Sequence, residues 1–326
     1  MSKILITGGA GFIGYHLATR LEKQGHKITI VDNFFRNKKD GDLESLFSKP
    51  NINIIEIDLT DSSSLKEIGT GYDYVYHLAG INGTKSFYEI PHEVLRVGLI
   101  TTFNILDWFK DINNKPEAKI LFTSSNEVYT GAFDVFGELP LPTPENVPSV
   151  ISDTYDPRWS YGGNKIINEL LFINYSKAYD FRMVIVRPHN VYGPRAGNQP
   201  MIPKIISRVI KHSDPFSILG PNEQRSFCYI DDLVAALQMS IESPKTDGGT
   251  YNIGNSYETK IMDIVEILFD IENWHPEKID KKNSPKGSVA RSLPDVSKIK
   301  KDAGWEAKIS MEDGLKITRD WYKNNI

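Results

Sequence analysis

Near the N-terminus the chain runs Ile4-Leu5-Ile6-Thr7-Gly8-Gly9-Ala10-Gly11-Phe12-Ile13-Gly14, an apolar segment that gives way to glycines at 8, 11 and 14. The run before Gly8 has the length of a buried strand, and an amphipathic pattern follows Gly11 as far as Gly25. A strand, a glycine turn and a helix in that order form an anion site. Glycine allows the tight turn and lets the backbone come close to a pyrophosphate, while the helix N-terminus offers unpaired N–H groups. Val31-Asp32 closes the next apolar run, where a carboxylate accepts hydrogen bonds from an adenosine ribose. The stretch therefore predicts a dinucleotide site in which Gly8, Gly11, Phe12, Ile13 and Gly14 meet the pyrophosphate and Asp32 with Asn33 meets the ribose.

Asp32 would repel a 2′-phosphate, and the nearest cation, Arg36, stands several residues further on, so NAD is expected in preference to NADP. Working outward, strands are expected at Lys3–Thr7, Lys27–Val31, Asn53–Ile57, Tyr74–Leu78, Ile120–Thr123 and Arg182–Arg187. Helices are expected at Phe12–Gln24, about Pro91–Lys110 and Lys165–Tyr179. This alternation predicts an α/β fold, a doubly wound parallel sheet of Rossmann type, with residues 1–187 as the cofactor domain. Residues 188–326, with helices near 200–212, 231–242 and 261–270, read as a smaller α/β substrate domain interleaved with the first. Asp58, Leu59, Leu78, Ala79 and Gly80 follow strands, at the carboxyl edge where open sheets bind ligands. Residues 131–158, rich in proline, are expected to form a long functional loop.

Composition narrows the partners. Lys plus Arg number 38 against 42 Asp plus Glu, a formal charge of −4, so no global positive field favours nucleic acid or an anionic membrane. An anionic ligand would need local cations. Cys228 is the single cysteine, which fits a reducing compartment, and the cytoplasm is the expected location. The apolar N-terminus is broken by Thr7-Gly8-Gly9 and reads as a strand rather than a leader, and no apolar run is long enough to cross a bilayer. His77 reads as a structural histidine, and the histidines share no metal-ligand spacing, so no metal is expected.

The reacting groups cluster after the fifth strand, in Thr123-Ser124-Ser125-Asn126-Glu127-Val128-Tyr129, and in Tyr161-Gly162-Gly163-Asn164-Lys165. Tyr161 and Lys165 are four apart, one face of a helix, so the ammonium can lower the phenol's proton affinity and make it a base near neutral pH. Together with Arg187-Pro188-His189-Asn190-Val191-Tyr192-Gly193-Pro194, Arg225-Ser226-Phe227-Cys228-Tyr229-Ile230-Asp231-Asp232 and Arg291-Ser292-Leu293-Pro294-Asp295-Val296, these motifs resemble the extended short-chain dehydrogenase/reductases. The similarity is greatest to nucleotide-sugar epimerases, dehydratases and decarboxylases. It implies a retained NAD, Tyr161 taking the proton of the sugar C4 hydroxyl, Lys165 on the nicotinamide ribose and Ser125 on the reacting oxygen. It also implies cofactor contacts at Pro188 and His189, and a nucleoside-diphosphate sugar held by Asn190, Lys204, Arg225 and Arg291. Pairing through helices 91–110 and 161–179 would give a homodimer.

Glu127 sharpens the reading, because simple C4 epimerases of this family usually carry a small residue there. A carboxylate suggests second-stage acid–base chemistry, as in dehydratases or uronic-acid decarboxylases. Asn126 stands where hexose dehydratases resemble one another in an aspartic acid, and an amide cannot donate that proton. Arg158-Trp159-Ser160-Tyr161 resembles a decarboxylase stretch. Gly98 replaces the family's asparagine, which is expected to cost one cofactor contact, and the longer loop before Tyr161 points to an unusual substrate lid. The expectation is an NAD-dependent nucleotide-sugar epimerase or dehydratase. UDP-glucuronate-type decarboxylation is the alternative, and an NAD-binding redox sensor or scaffold is the non-enzymatic one.

Overall fold

A computed structural model describes residues 1–35, 40–113, 115–284 and 290–325. Arg36, weighed above against Asp32, lies outside the described residues. Seven parallel strands form the main sheet: β1 (Lys3–Thr7), β2 (Lys27–Asp32), β3 (Ile52–Glu56), β4 (Tyr74–His77), β5 (Lys119–Thr123), β6 (Arg182–Pro188) and β7 (Thr250–Ile253). Their spatial order is β7-β6-β5-β4-β1-β2-β3. The order reverses between β1 and β4, and open α/β sheets bind ligands at the crevice this leaves at the carboxyl ends. In register, Thr7 lies beside both Val31 and His77, so the loops after β1, β2 and β4 emerge together.

The sheet is buried on both faces because alternate residues enter different cores. Ile4 and Ile6 of β1 join one cluster and Leu5 the other, and on β6 Val184 and Val186 oppose Met183 and Ile185 in the same way. Each fully buried aliphatic side chain contributes about 1.5–3 kcal/mol relative to exposure. The first cluster packs against α1 (Phe12–Lys23) and the C-terminal helices, the second against α3 (Pro91–Asp111) and α4 (Trp159–Tyr179). Pro91 sits in the first turn of α3, where its missing N–H costs nothing. A short helix, α2 (Thr84–Glu89), precedes α3 and contributes no buried residue.

Two expectations need correction. Residues 131–158 are not all loop, since Thr130–Phe136 is helical and Thr130, Gly131 and Ala132 are buried. Gly131 makes this possible, because a Cβ there would collide with the Val150 carbonyl as the rest of the segment folds back. The helix read from Lys165 by its apolar pattern, and from Tyr161 by its motif, begins at Trp159, so Tyr161 and Lys165 both lie inside it. The seventh strand, β7, comes from beyond residue 187 and pairs in register with β6, Ile253 beside Pro188. His77 is buried and satisfied by Thr7 and Thr102 at 2.9 and 3.3 Å, and burial holds its ring near pKa 3, hence neutral. Cys228 is buried in the first core, where desolvation pushes its thiol up.

Candidate active site

The turn between β1 and α1 forms the first part of the site. Gly8 has φ +67° and donates to the Val31 carbonyl at 2.8 Å, and a Cβ on it would stand 2.8 Å from the Ala79 nitrogen. A Cβ at Gly14 would strike the Gly8 carbonyl. Gly11, the residue before α1, has no side chain to cap the helix, so the first-turn N–H groups have no side-chain acceptor. Asp32 ends β2 with its carboxylate accepting from Ala10 N at 3.0 Å and Phe34 N at 2.9 Å, while burial raises its proton affinity. Asn33 caps Phe35 N at 3.1 Å. Leu78 and Ala79 donate their N–H groups to Thr7 Oγ1 at 3.3 Å, and Gly80 follows them, exposed. Asp58 accepts from Thr60 N, whereas the Leu59 side chain is buried in the core and only its backbone faces outward to Asn104. A glycine cradle, an uncapped helix N-terminus and a carboxylate at the end of β2 together fit a dinucleotide without a 2′-phosphate.

At Gly98 the family's asparagine has no room, because a Cβ there would run into the Asn164 amide. Asn164 instead donates from α4 to the Val94 and Leu95 carbonyls of α3 at 3.1 and 3.2 Å, and accepts from Asn168 at 2.7 Å.

The candidate reacting side chains hang from α4 and from the turn after β5. Lys165 Nζ donates to the Thr123 carbonyl at 2.7 Å and stands 5.6 Å from the centre of the Tyr161 ring. Burial lowers its pKa from 10.5 to about 8, and Glu169, one turn further along α4, raises it. Glu169 is itself buried in a network. Its carboxylate accepts from Arg187 Nε and Nη2 at 2.9 and 2.6 Å and from Ser124 Oγ at 2.5 Å, and Arg187 donates to Tyr129 Oη at 2.8 Å. Ser125 Oγ accepts from Glu127 N at 3.2 Å, which fixes the turn that carries Asn126 and Glu127. The Glu127 carboxylate accepts from Thr130 Oγ1 at 3.3 Å and lies 3.6 Å from Arg158 Nη2.

A cavity of about 100 Å³ gathers Asn126, Glu127, Arg158, His189, Asn190, Arg225 and Arg291. It brings Asn126 and Glu127 together with the candidate diphosphate residues, whereas Ser125, Tyr161 and Lys165 do not line it. His189 is buried with its ring 6.1 Å from that of Tyr129, and burial lowers its pKa to about 4. Pro188 is buried at the end of β6. Asn190 has φ +37° and donates to the Ser226 carbonyl at 2.8 Å. Arg225 pairs with Glu223, and Arg291 with Glu258. Lys204 is exposed on helix Met201–Ile210 and does not line this cavity. A wider hollow of about 670 Å³ lies beside it, lined by Phe136, Leu139 and prolines of the 130–158 segment with one carboxylate, Glu138. Among the described residues no group of three His, Cys, Asp or Glu could hold a metal ion, and no helix is long and apolar enough to cross a membrane.

Sequence reasoning left Glu169 and Phe87 out of the candidate site and assigned no role to Arg158 or Arg187. Arg158 was visible only as part of a short stretch before Tyr161. Glu169 carries no motif of its own and Arg187 only opens the stretch that runs to Pro194, and their pairing across α4 and β6 is a product of the fold. Phe87, whose ring stacks on Tyr161 at 4.6 Å, comes from a helix without periodicity.

The profile of the GDP-mannose 4,6 dehydratase family matches residues 5–318. A UDP-N-acetyl-alpha-D-glucosaminuronate decarboxylase of Bacillus cytotoxicus is 34% identical over 98% of each chain. UDP-glucuronic acid decarboxylase 5 of Arabidopsis thaliana is 30% identical over 98% of this chain and 89% of its own. Among solved structures, UDP-glucuronic acid 4-epimerase of Bacillus cereus in complex with UDP-glucuronic acid and NAD is similar at 27% identity and TM-score 0.84, over 99% of each chain.

Proposed function

The chain belongs to the GDP-mannose 4,6 dehydratase family of extended short-chain dehydrogenase/reductases, enzymes that act on nucleotide sugars, and from that membership we propose that it is an NAD-dependent UDP-uronic acid decarboxylase. The observation that carries this reading is Arg158, an arginine fork set 3.6 Å from Glu127 in the wall of the cavity that also holds Arg225 and Arg291. A guanidinium suits a planar carboxylate, and a uronic acid carries one at C6. Decarboxylation stands ahead of the epimerase or dehydratase expected from sequence because of this arginine, because Asn126 cannot act as an acid, and because the relatives named above include decarboxylases.

NAD, when bound, supplies a hydride acceptor that is regenerated within the cycle. Tyr161, as phenolate, takes the proton of the C4 hydroxyl as that carbon loses hydride and becomes a ketone. Lys165 holds the phenolate charge and Ser125 hydrogen-bonds the C4 oxygen. Arg158 orients the C6 carboxylate, now β to a carbonyl. The C5–C6 bond breaks, carbon dioxide leaves and the electron pair moves into the C4 oxygen as an enolate. Glu127, whose side chain is 43% exposed, takes a proton from solvent and passes it to C5, and Tyr161 returns its own proton to the C4 oxygen as that carbon becomes a carbinol again. Arg225, Arg291 and Asn190 hold the diphosphate end, and the division near residue 187 separates the NAD half from the nucleotide half.

The test is mass. Incubation with UDP-glucuronic acid and its 2-acetamido counterpart should give a product lighter by carbon dioxide. A product lighter by water, or one of equal mass inverted at C4, would displace the reading. Arg158→Met is expected to lower carbon dioxide release by about 10²-fold, since the carboxylate loses its charge-assisted partner. Turnover at the wild-type rate in that variant would remove Arg158 from the site.

We also infer a homodimer through α3 and α4. The two helices pack on each other, and they carry Leu170 at 56% and Tyr179 at 53% exposure, with Phe103 and Leu95 also exposed. Sedimentation should give about twice the chain mass of 36.9 kDa, and Leu170→Glu should halve it. A wild-type monomer at micromolar concentration would refute the inference.

A further inference from the structure

The phenol of Tyr161 has a neighbour that no motif assigns. The Phe87 ring lies flat on it, with centroids 4.6 Å apart and planes at 16°. Phe87 is half-buried on α2, a six-residue helix that buries no side chain in the core and follows Gly83 at φ +123°. A weak hydrogen bond from Ser160 Oγ to the Phe87 carbonyl, at 3.5 Å, ties this helix to the first turn of α4. Lys165, a charged group 5.6 Å from the centre of the same ring, is fixed independently by Thr123.

A tyrosine one turn from its lysine can still change its χ1 rotamer, which carries the hydroxyl elsewhere, whereas χ2 only turns the ring about the axis on which the hydroxyl oxygen lies. A parallel ring at stacking distance blocks that swing on one side. We propose that Phe87 is a positioning residue of this site, its ring blocking the swing of the Tyr161 side chain so that the hydroxyl stays within reach of Lys165 and of the sugar carbon. The proposal rests on the reading of Tyr161 as the base.

Two measurements test it. The first needs no substrate: ionisation of Tyr161 is followed as the pH-dependent absorbance difference between each protein and its Tyr161→Phe counterpart. With Phe87→Ala the phenol swings away from the ammonium, and its transition should rise by about half a pH unit, with Phe87→Tyr restoring it. A transition that stays in place, or falls because water now reaches the ring, overturns the proposal. The second uses whichever UDP-uronic acid the wild type converts. Phe87→Ala should lower kcat about tenfold with KM held within about twofold, and Phe87→Tyr should recover most of the loss. A raised KM with kcat intact also overturns it. Wild-type protein inert toward every nucleotide sugar would sink the decarboxylase reading, while the phenol titration still decides the role of Phe87. The substitution removes a half-exposed ring from a helix with no buried residue, so the fold itself is expected to survive.

Discussion

Tyr161→Phe is expected to lower turnover of a UDP-uronic acid by about 10³-fold while the protein stays folded and keeps its NAD. The change removes one oxygen and leaves the ring. Stacking on Phe87 needs only the ring, and Lys165 is held by the Thr123 carbonyl, so the surroundings should persist. What is lost is the proton acceptor for the C4 hydroxyl, and without it hydride cannot leave that carbon. Single-turnover mixing should show no transient reduced nicotinamide absorbance where the wild type shows it. A variant that reduces the cofactor at the wild-type rate would mean that another group is the base.

Glu169→Gln should cost about 3–5 kcal/mol of stability, because it leaves Arg187 and Lys165 as buried cations with no carboxylate between them. The same substitution should move the pH profile. Lys165 must carry its proton to stabilise the Tyr161 phenolate, so activity should fall as pH rises through about 8. Glu169 raises that value; without it the alkaline limb should move to lower pH. His77, nearby on β4, is neutral throughout this range and does not contribute. Stability runs the opposite way. Between about 8 and 10.5 the unfolded chain still holds the Lys165 proton that the folded chain has lost, so this group's contribution to stability rises with pH there. Denaturant midpoints and pH–rate curves of the two proteins measure both effects. An unchanged midpoint with an unchanged limb would make the Glu169–Arg187 pair a bystander.

Much of this was legible beforehand where one rule dominates. The glycine turn, Asp32 and the alternating strands follow from sterics and periodicity acting over a few residues, and the sheet is arranged accordingly. The first turns of α4 were legible from the Tyr161–Lys165 spacing and not from periodicity, because after Trp159 their buried residues are Ser160, Gly162, Gly163 and Asn164, small and polar rather than apolar. The helix Thr130–Phe136 was masked by the prolines that follow it, and its burial depends on a contact with Val150 some twenty residues away. Lys204 was chosen by likeness alone and is not part of the cavity that holds Arg225 and Arg291. Phe87 and Arg158 reach the site by packing, which no local pattern encodes.

The outermost strand, Thr250–Ile253, has a bearing on how such enzymes could be recombined. It lies next to Arg182–Pro188 but arrives some sixty residues later, so a chimaera joined near residue 187 would graft a foreign edge onto the sheet. A fragment ending there would leave a bare flank open to self-association. Exchange of specificity between relatives therefore calls for transplanting loops around the arginines, with the whole framework inherited from one parent.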